Sequence, residues 1–347
     1  MEIDAKKILI ILQGSVGDVV RAIPLANLLR EAYPKARIAW AIEAAAFPLI
    51  EGHPAIDQPI VFDRKRWWRT LPPFLRRIRE EKFDLVLDLQ RILKSGLVSW
   101  WSGAAVRVGF HRSEAKEGNW IFNNHRIAAA GQSVSKLEHY LKFADYLGVP
   151  TRPIRWQLSL APAEERRVDQ LLGGRSGRFA AYFVGSRWES KLWFPAETAA
   201  CADEIERRYG LAAVLLGSAA DAEFARRVAG AASGPTVNLV GETSLREAVG
   251  VLRRARVAVG PDTGLMHVAA AVGTPVVSLW GATSPERTGP YGFQDLVVRG
   301  KAPCAPCYLR RCPIGRACMR SIDIAEIVAK VGKALRLNPV NHGSMAL

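Results

Sequence analysis

The sequence is short of acidic residues and has no apolar run long enough to span a membrane. It carries 33 Asp and Glu against 48 Lys and Arg in 347 residues, a formal net charge of +15. Such an excess favours an anionic partner, namely a nucleic acid, an anionic membrane surface or a phosphorylated substrate. The longest mostly apolar stretch, residues 265–282, is broken by Gly273-Thr274-Pro275 and is therefore predicted to be a buried helix and strand.

The first residues also lack the pattern of a secretory signal peptide. The apolar segment Ile8–Leu12 is too short for one and ends in Gln13-Gly14. We therefore expect a cytosolic protein, in which disulfides are not favoured. Of the five cysteines, Cys201 stands alone in a helical pattern and is expected to pack in the core.

The other four cysteines follow the spacing Cys304-x2-Cys307-x4-Cys312-x5-Cys318. Four thiolates in a tight, proline-shaped loop suit a zinc or iron ion. Four free thiols, or a redox pair among them, are the alternatives.

Residues 257–280 are the most informative part of the chain. An apolar run ends on Gly260-Pro261, then come Asp262-Thr263-Gly264 and a helix of small residues that stops at Gly273. This pattern predicts a strand, a tight loop and a helix whose N-terminal N–H groups favour an anion. Gly264 lets the backbone approach a phosphate, Thr263 can donate to it, and Asp262 can accept from sugar hydroxyls. The alternative is an ordinary turn in which Asp262 and Thr263 only cap the helix.

Strands alternate with helices in both halves of the chain, and the length fits two ordinary domains. Apolar strands are predicted near residues 7–12, 38–42, 59–62, 83–89, 179–184, 212–216, 237–240, 257–259 and 276–280. This order is typical of doubly wound parallel α/β sheets, and two such sheets would leave a ligand-binding cleft. We expect a domain at 1–150, a linker at 151–177, a second domain at 178–321, a helix at 322–338 and a tail at 339–347.

Residues 64–79 form a strongly basic segment in the first half. The segment holds seven cations in sixteen residues, interleaved with Trp67, Trp68 and Phe74 and without an acid. A solvated helix face would usually include acids, so the segment is predicted to bind an anionic partner. Nucleic acid is the usual interpretation of such a pattern.

Four groups of residues, in their order and spacing, resemble the ADP-heptose:lipopolysaccharide heptosyltransferases, an inverting glycosyltransferase family of the GT-B fold. They are Gly17 to Pro24, Asp88-Leu89-Gln90 with Lys94-Ser95, Ser186-Arg187 with Lys191 and Trp193, and Asp262 to His267. The resemblance covers roughly residues 7–335. It departs at Arg91, where the family usually has glycine. It departs again at Ala219, where some members carry a ribose-binding acid that Asp221 or Glu223 could replace.

The resemblance implies two Rossmann-like domains facing a cleft. It also implies inverting transfer of heptose from ADP-L-glycero-D-manno-heptose to the lipopolysaccharide inner core. Asp18 is then the general base, with a helix-capping aspartate as the alternative. The implied donor-binding residues are Ser186, Arg187, Lys191, Thr243, Asp262, Thr263, Gly264 and His267. The alternative for Lys191 is a solvated surface lysine, and the alternative for His267 is a residue that only packs in the core. Since Lys191 would neutralise the diphosphate, no cofactor is required for catalysis, and any metal at the cysteines is structural.

In this fold the first domain receives the acceptor and the second binds the nucleotide sugar. The basic segment then becomes a site for the acidic acceptor Kdo-lipid A, with its tryptophans at headgroup level. The predicted acceptor-binding residues are Arg64, Lys65, Arg66, Arg69, Lys94 and Arg112. We expect a cytoplasmic enzyme, peripheral at the inner leaflet, with no nucleic acid partner. A transferase of another nucleotide sugar and a nucleic-acid-binding protein are the alternatives. The sequence does not distinguish the first core heptose from the second.

Overall fold

The chain forms two compact units, Met1–Gln157 and Leu158–Leu347. A computed structural model describes residues 4–131 and 134–337, so the predicted tail at 339–347 lies outside the described residues. Each unit contains one six-stranded parallel sheet with helices in its connections. The predicted doubly wound α/β class is therefore confirmed.

The first unit alternates strands with helices. Its strands are β1 (Lys7–Ile11), β2 (Arg37–Glu43), β3 (Gln58–Phe62), β4 (Leu85–Asp88), β5 (Val106–Gly109) and β6 (His125–Arg126), and its helices are α1 (Val16–Ala32), α2 (Trp67–Glu80), α3 (Leu93–Trp101) and α4 (Lys136–Tyr146). The sheet order is β3-β2-β1-β4-β5-β6, with all neighbours parallel. Residues Ile8–Ile11 of β1 are fully buried, as a strand covered on both faces requires, which explains its continuous apolar run.

The second unit repeats the pattern. Its strands are β7 (Phe179–Phe183), β8 (Ala212–Leu216), β9 (Thr236–Asn238), β10 (Val257–Pro261), β11 (Val276–Trp280) and β12 (Val297–Arg299). Its helices are α5 (Pro162–Leu172), α6 (Pro195–Tyr209), α7 (Ala222–Ala231), α8 (Leu245–Arg254), α9 (Gly264–Ala271), α10 (Pro285–Thr288), α11 (Ala317–Arg320) and α12 (Ile324–Leu337). The order β12-β11-β10-β7-β8-β9 places β7 and β10 side by side, and both are buried throughout.

The predicted linker divides between the units instead of standing apart from them. Trp156 belongs to the first unit, where its Nε1 donates to the Val20 carbonyl at 2.9 Å. Helix α5 belongs to the second unit and packs against α8, with Arg246 Nε 2.6 Å from Glu164 Oε1. The same unit includes α12, which buries Ile327, Val328 and Val331. None of the helices in the described ranges combines the length and apolarity that a membrane crossing requires.

Candidate active site

Asp18 lies in the first turn of α1, just after the loop that follows β1. The Ser15 hydroxyl donates to Asp18 Oδ2 at 2.8 Å and accepts from the Asp18 N–H at 3.4 Å, a capping box that starts the helix here. Asp18 Oδ1 accepts from Arg21 Nη2 at 2.8 Å and from Lys136 Nζ of α4 at 2.7 Å. One carboxylate oxygen therefore caps the helix, while the other pairs with two cations.

This environment keeps Asp18 ionised. Burial alone would raise its pKa, but the charges of Lys136 and Arg21, with hydrogen bonds from Lys136 and Ser15, hold the pKa well below its ordinary value. The Asp18 side chain is still 19% exposed, so a hydroxyl can reach it. The arrangement suits a general base, although a low pKa also means a low affinity for the proton.

Gln90 fixes the loop that precedes Asp18. Its Oε1 accepts from the Gln13 N–H at 2.9 Å, and its Nε2 donates to the Gln13 carbonyl at 3.1 Å. A Cβ at Gly14 would lie 2.9 Å from the Asp18 Cβ, so only glycine lets the loop pass this close. The segments Gly17–Pro24 and Asp88–Gln90, which are far apart in sequence, therefore meet around one loop.

The last residue of β4 and the loop that follows it have structural roles. Asp88 is fully buried and accepts from Asn119 Nδ2 at 2.6 Å and from Asn123 Nδ2 at 3.2 Å, and burial raises its pKa. Arg91 has a φ of 67°, in the left-handed region that favours glycine. The position where the heptosyltransferases usually have glycine thus keeps a glycine-like backbone.

In the second unit, Asp262 follows β10 directly and joins two side chains. Its Oδ2 accepts from Lys191 Nζ at 2.6 Å and from Thr283 Oγ1 at 2.8 Å. Lys191 Nζ also lies 4.5 Å from the centroid of the Trp188 ring. The Lys191 and Asp262 side chains are only 16% and 10% exposed, so the ammonium is held in a fixed place.

The start of α9 differs from the ordinary capped turn that was the alternative interpretation. Thr263 is the N-cap residue, but its side chain makes no capping hydrogen bond within the described part of the chain, and the Asp262 carboxylate pairs with Lys191 instead. The N–H groups that begin at Gly264 therefore remain suited to an anion. His267, one turn further, is 5% exposed and buried in the unit.

The remaining predicted donor residues lie in three loops. The Ser186 hydroxyl donates to the Asp262 carbonyl at 3.4 Å, while Arg187 is exposed and Thr243 half-buried before α8. Of the two ribose candidates, Asp221 packs its carboxylate against Gly185, the residue before Ser186. Glu223 is instead exposed and pairs with Arg226.

The predicted acceptor residues lie on the surface of the first unit. Residues Arg64–Arg66 form a 3-10 turn that leads into α2, and Lys94 is on α3, which packs against α2. The Arg112 guanidinium lies 5.2 Å from the Trp120 ring centroid. Arg64 pairs with Glu43 at 3.3 Å, whereas the other five predicted residues form no ion pair within residues 4–131 and 134–337.

The side chains of the four clustered cysteines do not converge on one point among the described residues, so the structure gives no support for the predicted metal ion. All are free thiols, Cys304 exposed and Cys318 buried, and the described residues contain no group of three or more His, Cys, Asp or Glu that could hold a metal ion. Burial raises the pKa of Cys318, as do the other three thiols. Cys201 is fully buried in the core, and burial raises its pKa to about 12.

The cysteine loop instead contacts the segment that carries Lys191. Glu189 accepts from the Cys312 N–H at 3.0 Å and from Arg316 Nε at 3.0 Å. The Ser190 N–H donates to the Arg310 carbonyl at 3.2 Å. The loop therefore supports the turn Glu189–Lys191 from outside.

Sequence reasoning missed several of these partners. The role of Ser15 could have been predicted, because a serine three residues before an acid at the start of a helix is a capping signal. The roles of Lys136 and Thr283 could not have been predicted. Lys136 lies 118 residues from Asp18 and Thr283 lies 21 residues from Asp262, and only the fold brings each pair into contact.

Comparison with known proteins decides the family. A model of glycosyltransferase family 9 (heptosyltransferase) matches residues 73–317. The chain belongs to glycosyltransferase family 9. This family 9 protein is 30% identical over 317 residues to lipopolysaccharide heptosyltransferase 1 of Pseudomonas aeruginosa, covering 88% of this chain and 87% of that one. It is 27% identical over 298 residues to the lipopolysaccharide core heptosyltransferase OpsX of Haemophilus influenzae, covering 85% of each.

The fold of this family 9 glycosyltransferase also matches a solved structure. The Escherichia coli heptosyltransferase WaaC with ADP aligns with a TM-score of 0.75 at 21% identity, over 94% of this chain and 99% of that one. The protein is therefore an enzyme with the α/β GT-B fold, and the expectations of family, fold class and enzyme type are confirmed.

Proposed function

We propose that this glycosyltransferase moves heptose from ADP-L-glycero-D-manno-heptose to the inner core of lipopolysaccharide, with inversion at the anomeric carbon. Family membership supports the proposal, as do the names of the relatives and the ADP in WaaC. The strongest structural support for the proposal is the cluster of Lys191, Asp262 and Thr283 at the start of α9. A fixed cation, a carboxylate and helix N–H groups meet there, as a nucleotide-sugar site requires.

The second unit binds the donor in this proposal. Negative charge grows on the diphosphate as the glycosidic bond breaks, so Lys191 and the N–H groups after Thr263 stabilise the transition state more than the ground state. Ser186 and Arg187 assist from the loop after β7. Asp262 Oδ1 receives no hydrogen bond from the described residues and accepts from a heptose hydroxyl.

Three further residues complete the donor site. Thr243 lies beside the adenine, and Asp221 binds the ribose, because it packs against Gly185 next to Ser186. His267 lines the site from the first turns of α9. The fixed ammonium and the helix N-terminus carry the diphosphate charge, so we propose that transfer needs no cofactor.

The first unit binds the acceptor and supplies the base. Asp18 takes the proton of the acceptor hydroxyl as that oxygen attacks the anomeric carbon. The acceptor is acidic, so its carboxylates and phosphates compete with Asp18 for Lys136, whose side chain is 27% exposed. Loss of that ion pair increases the proton affinity of Asp18 when the acceptor is in place.

We propose that Kdo-lipid A is the acceptor and that the enzyme works in the cytoplasm, peripheral at the inner leaflet. Lys65, Arg66 and Arg69, which form no ion pair with another described residue, support this, because such cations suit phosphates and carboxylates at an anionic membrane. Arg64, Lys94 and Arg112 extend the same basic surface.

Donor and acceptor panels test this function. Calorimetry should show tight binding of ADP-heptose and weak binding of UDP- and GDP-sugars. Turnover on Kdo-lipid A with and without a first heptose assigns the core position. If the enzyme transfers sugar only from another nucleotide sugar, that nucleotide sugar is the donor and the proposed ADP-heptose is wrong. Steeply salt-dependent DNA or RNA affinity without nucleotide preference would indicate a nucleic-acid-binding protein.

We further propose a structural metal ion, zinc or iron, at Cys304, Cys307, Cys312 and Cys318, on sequence spacing alone. The fold aligns with the iron-containing glycosyltransferase TibC of enterotoxigenic Escherichia coli, with a TM-score of 0.60 at 16% identity. The side-chain geometry of this chain gives no support. Elemental analysis of protein purified without a metal-affinity tag should find one ion per chain, and four reactive thiols without metal would contradict the proposal.

A further inference from the structure

Helix α3 has the opposite amphipathicity to an ordinary surface helix. Its buried residues are Ser95, Gly96, Val98 and Ser99, whereas its exposed residues are Leu93, Lys94, Leu97, Trp100 and Trp101. Leu97 is 43% exposed and Trp100 56%. A surface helix normally turns its apolar stripe to the core.

Packing explains the small inner face of α3. The Ser99 hydroxyl donates to Asn123 Oδ1 at 2.7 Å, and Asn119 Nδ2 donates to the Ser95 hydroxyl at 3.2 Å. A Cβ at Gly96 would lie 2.9 Å from Phe122 Cδ2, so no larger residue fits there. The side chains of Leu93, Leu97 and Trp100 take no part in these contacts, and folding therefore does not account for them.

The outward residues of α3 lie beside those of the basic segment. Trp101 Nε1 donates to the Leu75 carbonyl of α2 at 3.0 Å, and Arg79 Nη1 donates to the Trp101 carbonyl at 3.1 Å. Helix α2 itself exposes Trp67 and Trp68, by 54% and 59%. Exposed leucines and tryptophans thus share two packed helices with the cations of residues 64–79.

We propose that the outward face of α3, residues Leu93, Leu97 and Trp100, inserts into an anionic lipid bilayer. The inference extends the membrane association proposed above by naming the residues that enter the apolar layer. An anionic bilayer suits both kinds of residue on this surface. Its headgroup phosphates bind the cations, and the boundary of its acyl layer accepts leucine and tryptophan. A free phosphorylated sugar leaves the apolar side chains without a partner. A second copy of this chain would bring two basic segments against each other.

Vesicle binding tests the proposal. The full chain is measured by co-sedimentation with vesicles of phosphatidylethanolamine and phosphatidylglycerol, at low and high salt. Leu97→Ser with Trp100→Ser should weaken binding about 10-fold or more, and the loss should persist when salt screens the charges. Leu97→Phe with Trp100→Phe is the matched control and should bind within about 3-fold of the parent. Quenching of the parent's tryptophan fluorescence by brominated lipid is a second readout that needs no variant.

The outcomes separate this inference from the proposed function. The serine variant should keep its ADP affinity and its transfer to an acceptor without acyl chains. Parent-like vesicle binding by the serine variant, or no bromine quenching of the parent, would overturn the inference even if heptose transfer is normal. A dimer that the serine variant dissociates, without vesicle binding, would identify a protein interface instead. Vesicle binding through α3 by a protein that transfers no heptose would leave the inference standing and refute the function.

Discussion

Replacing Lys136 by Met should remove an ion pair that keeps Asp18 ionised. Lys136 Nζ lies 2.7 Å from Asp18 Oδ1, and the two side chains are 27% and 19% exposed. Two unit charges at this distance attract by about 6 kcal/mol at an effective dielectric constant of about 20. Solvent screening and the remaining Arg21 reduce the net contribution, so we expect a coupling of about 1–3 kcal/mol.

The coupling is measured by a double-mutant cycle of Lys136→Met and Asp18→Asn, with urea denaturation as the assay. Because the folded-state pKa of Asp18 is lowered, its stabilisation is fully present above the ordinary aspartate pKa of about 3.9 and is lost as the pH falls towards the folded-state pKa. The destabilisation caused by Asp18→Asn should therefore be full at pH 7 and smaller near pH 3, whereas the coupling to Lys136 should persist at pH 3, because Asp18 is still ionised in the folded state there.

Lys142→Met, on the same helix, is the matched control for Lys136→Met. It should show no coupling to Asp18, because no ion pair joins them among the described residues. A Lys136–Asp18 coupling below about 0.3 kcal/mol at pH 7, within the error of additivity, would refute the reasoning. A destabilisation by Asp18→Asn that stays constant from pH 7 down to pH 3 would show that folding does not lower the pKa of Asp18.

The other predictions concern the two sets of proposed site residues. Asp18→Asn should lower turnover in steady-state kinetics by about 10²-fold or more and leave the ADP affinity unchanged. Near-normal turnover would show that Asp18 has no part in the mechanism. Lys191→Ala should weaken ADP binding, whereas Asp262→Ala should weaken ADP-heptose more than ADP; equal losses on both ligands for Asp262→Ala in calorimetry would contradict its assignment to the sugar. Glu189→Gln should weaken ADP binding several-fold by loosening the turn that carries Lys191, while Glu197→Gln, which removes a longer ion pair with Arg320 at 3.8 Å, should not.

The long elements could be predicted from the sequence because their signals are local. Strands such as β1, β7 and β10 are continuous apolar runs, and α9 follows a distinctive loop at Gly260-Pro261. The edge strands β6 and β12 are only two and three residues long, so no periodicity indicates them. Strand β5, Val106–Gly109, was also not predicted, because Arg107 interrupts its apolar residues, whereas β4 of the same length begins with three apolar residues in a row.

The proposed site residues could be derived from the sequence only where a motif contains them. Asp18, Lys191 and Asp262 stand in such motifs, but their partners Lys136 and Thr283 come from distant elements. The spacing of residues in the sequence also does not predict the direction in which their side chains point, as the four clustered cysteines show. Their sequence spacing fits a metal knuckle, yet Cys304 faces solvent and Cys318 is buried.

Transfer itself is the most direct test of the central claim. Purified enzyme is incubated with ADP-heptose and with Kdo-lipid A that either lacks or carries a first heptose. The lipid is analysed by mass spectrometry, and released ADP is quantified. The account predicts one heptose added to the acceptor for each ADP released, with an inverted anomeric configuration by NMR and almost no product from Asp18→Asn. If both acceptors stay unmodified in the presence of enzyme that binds ADP, the account is contradicted.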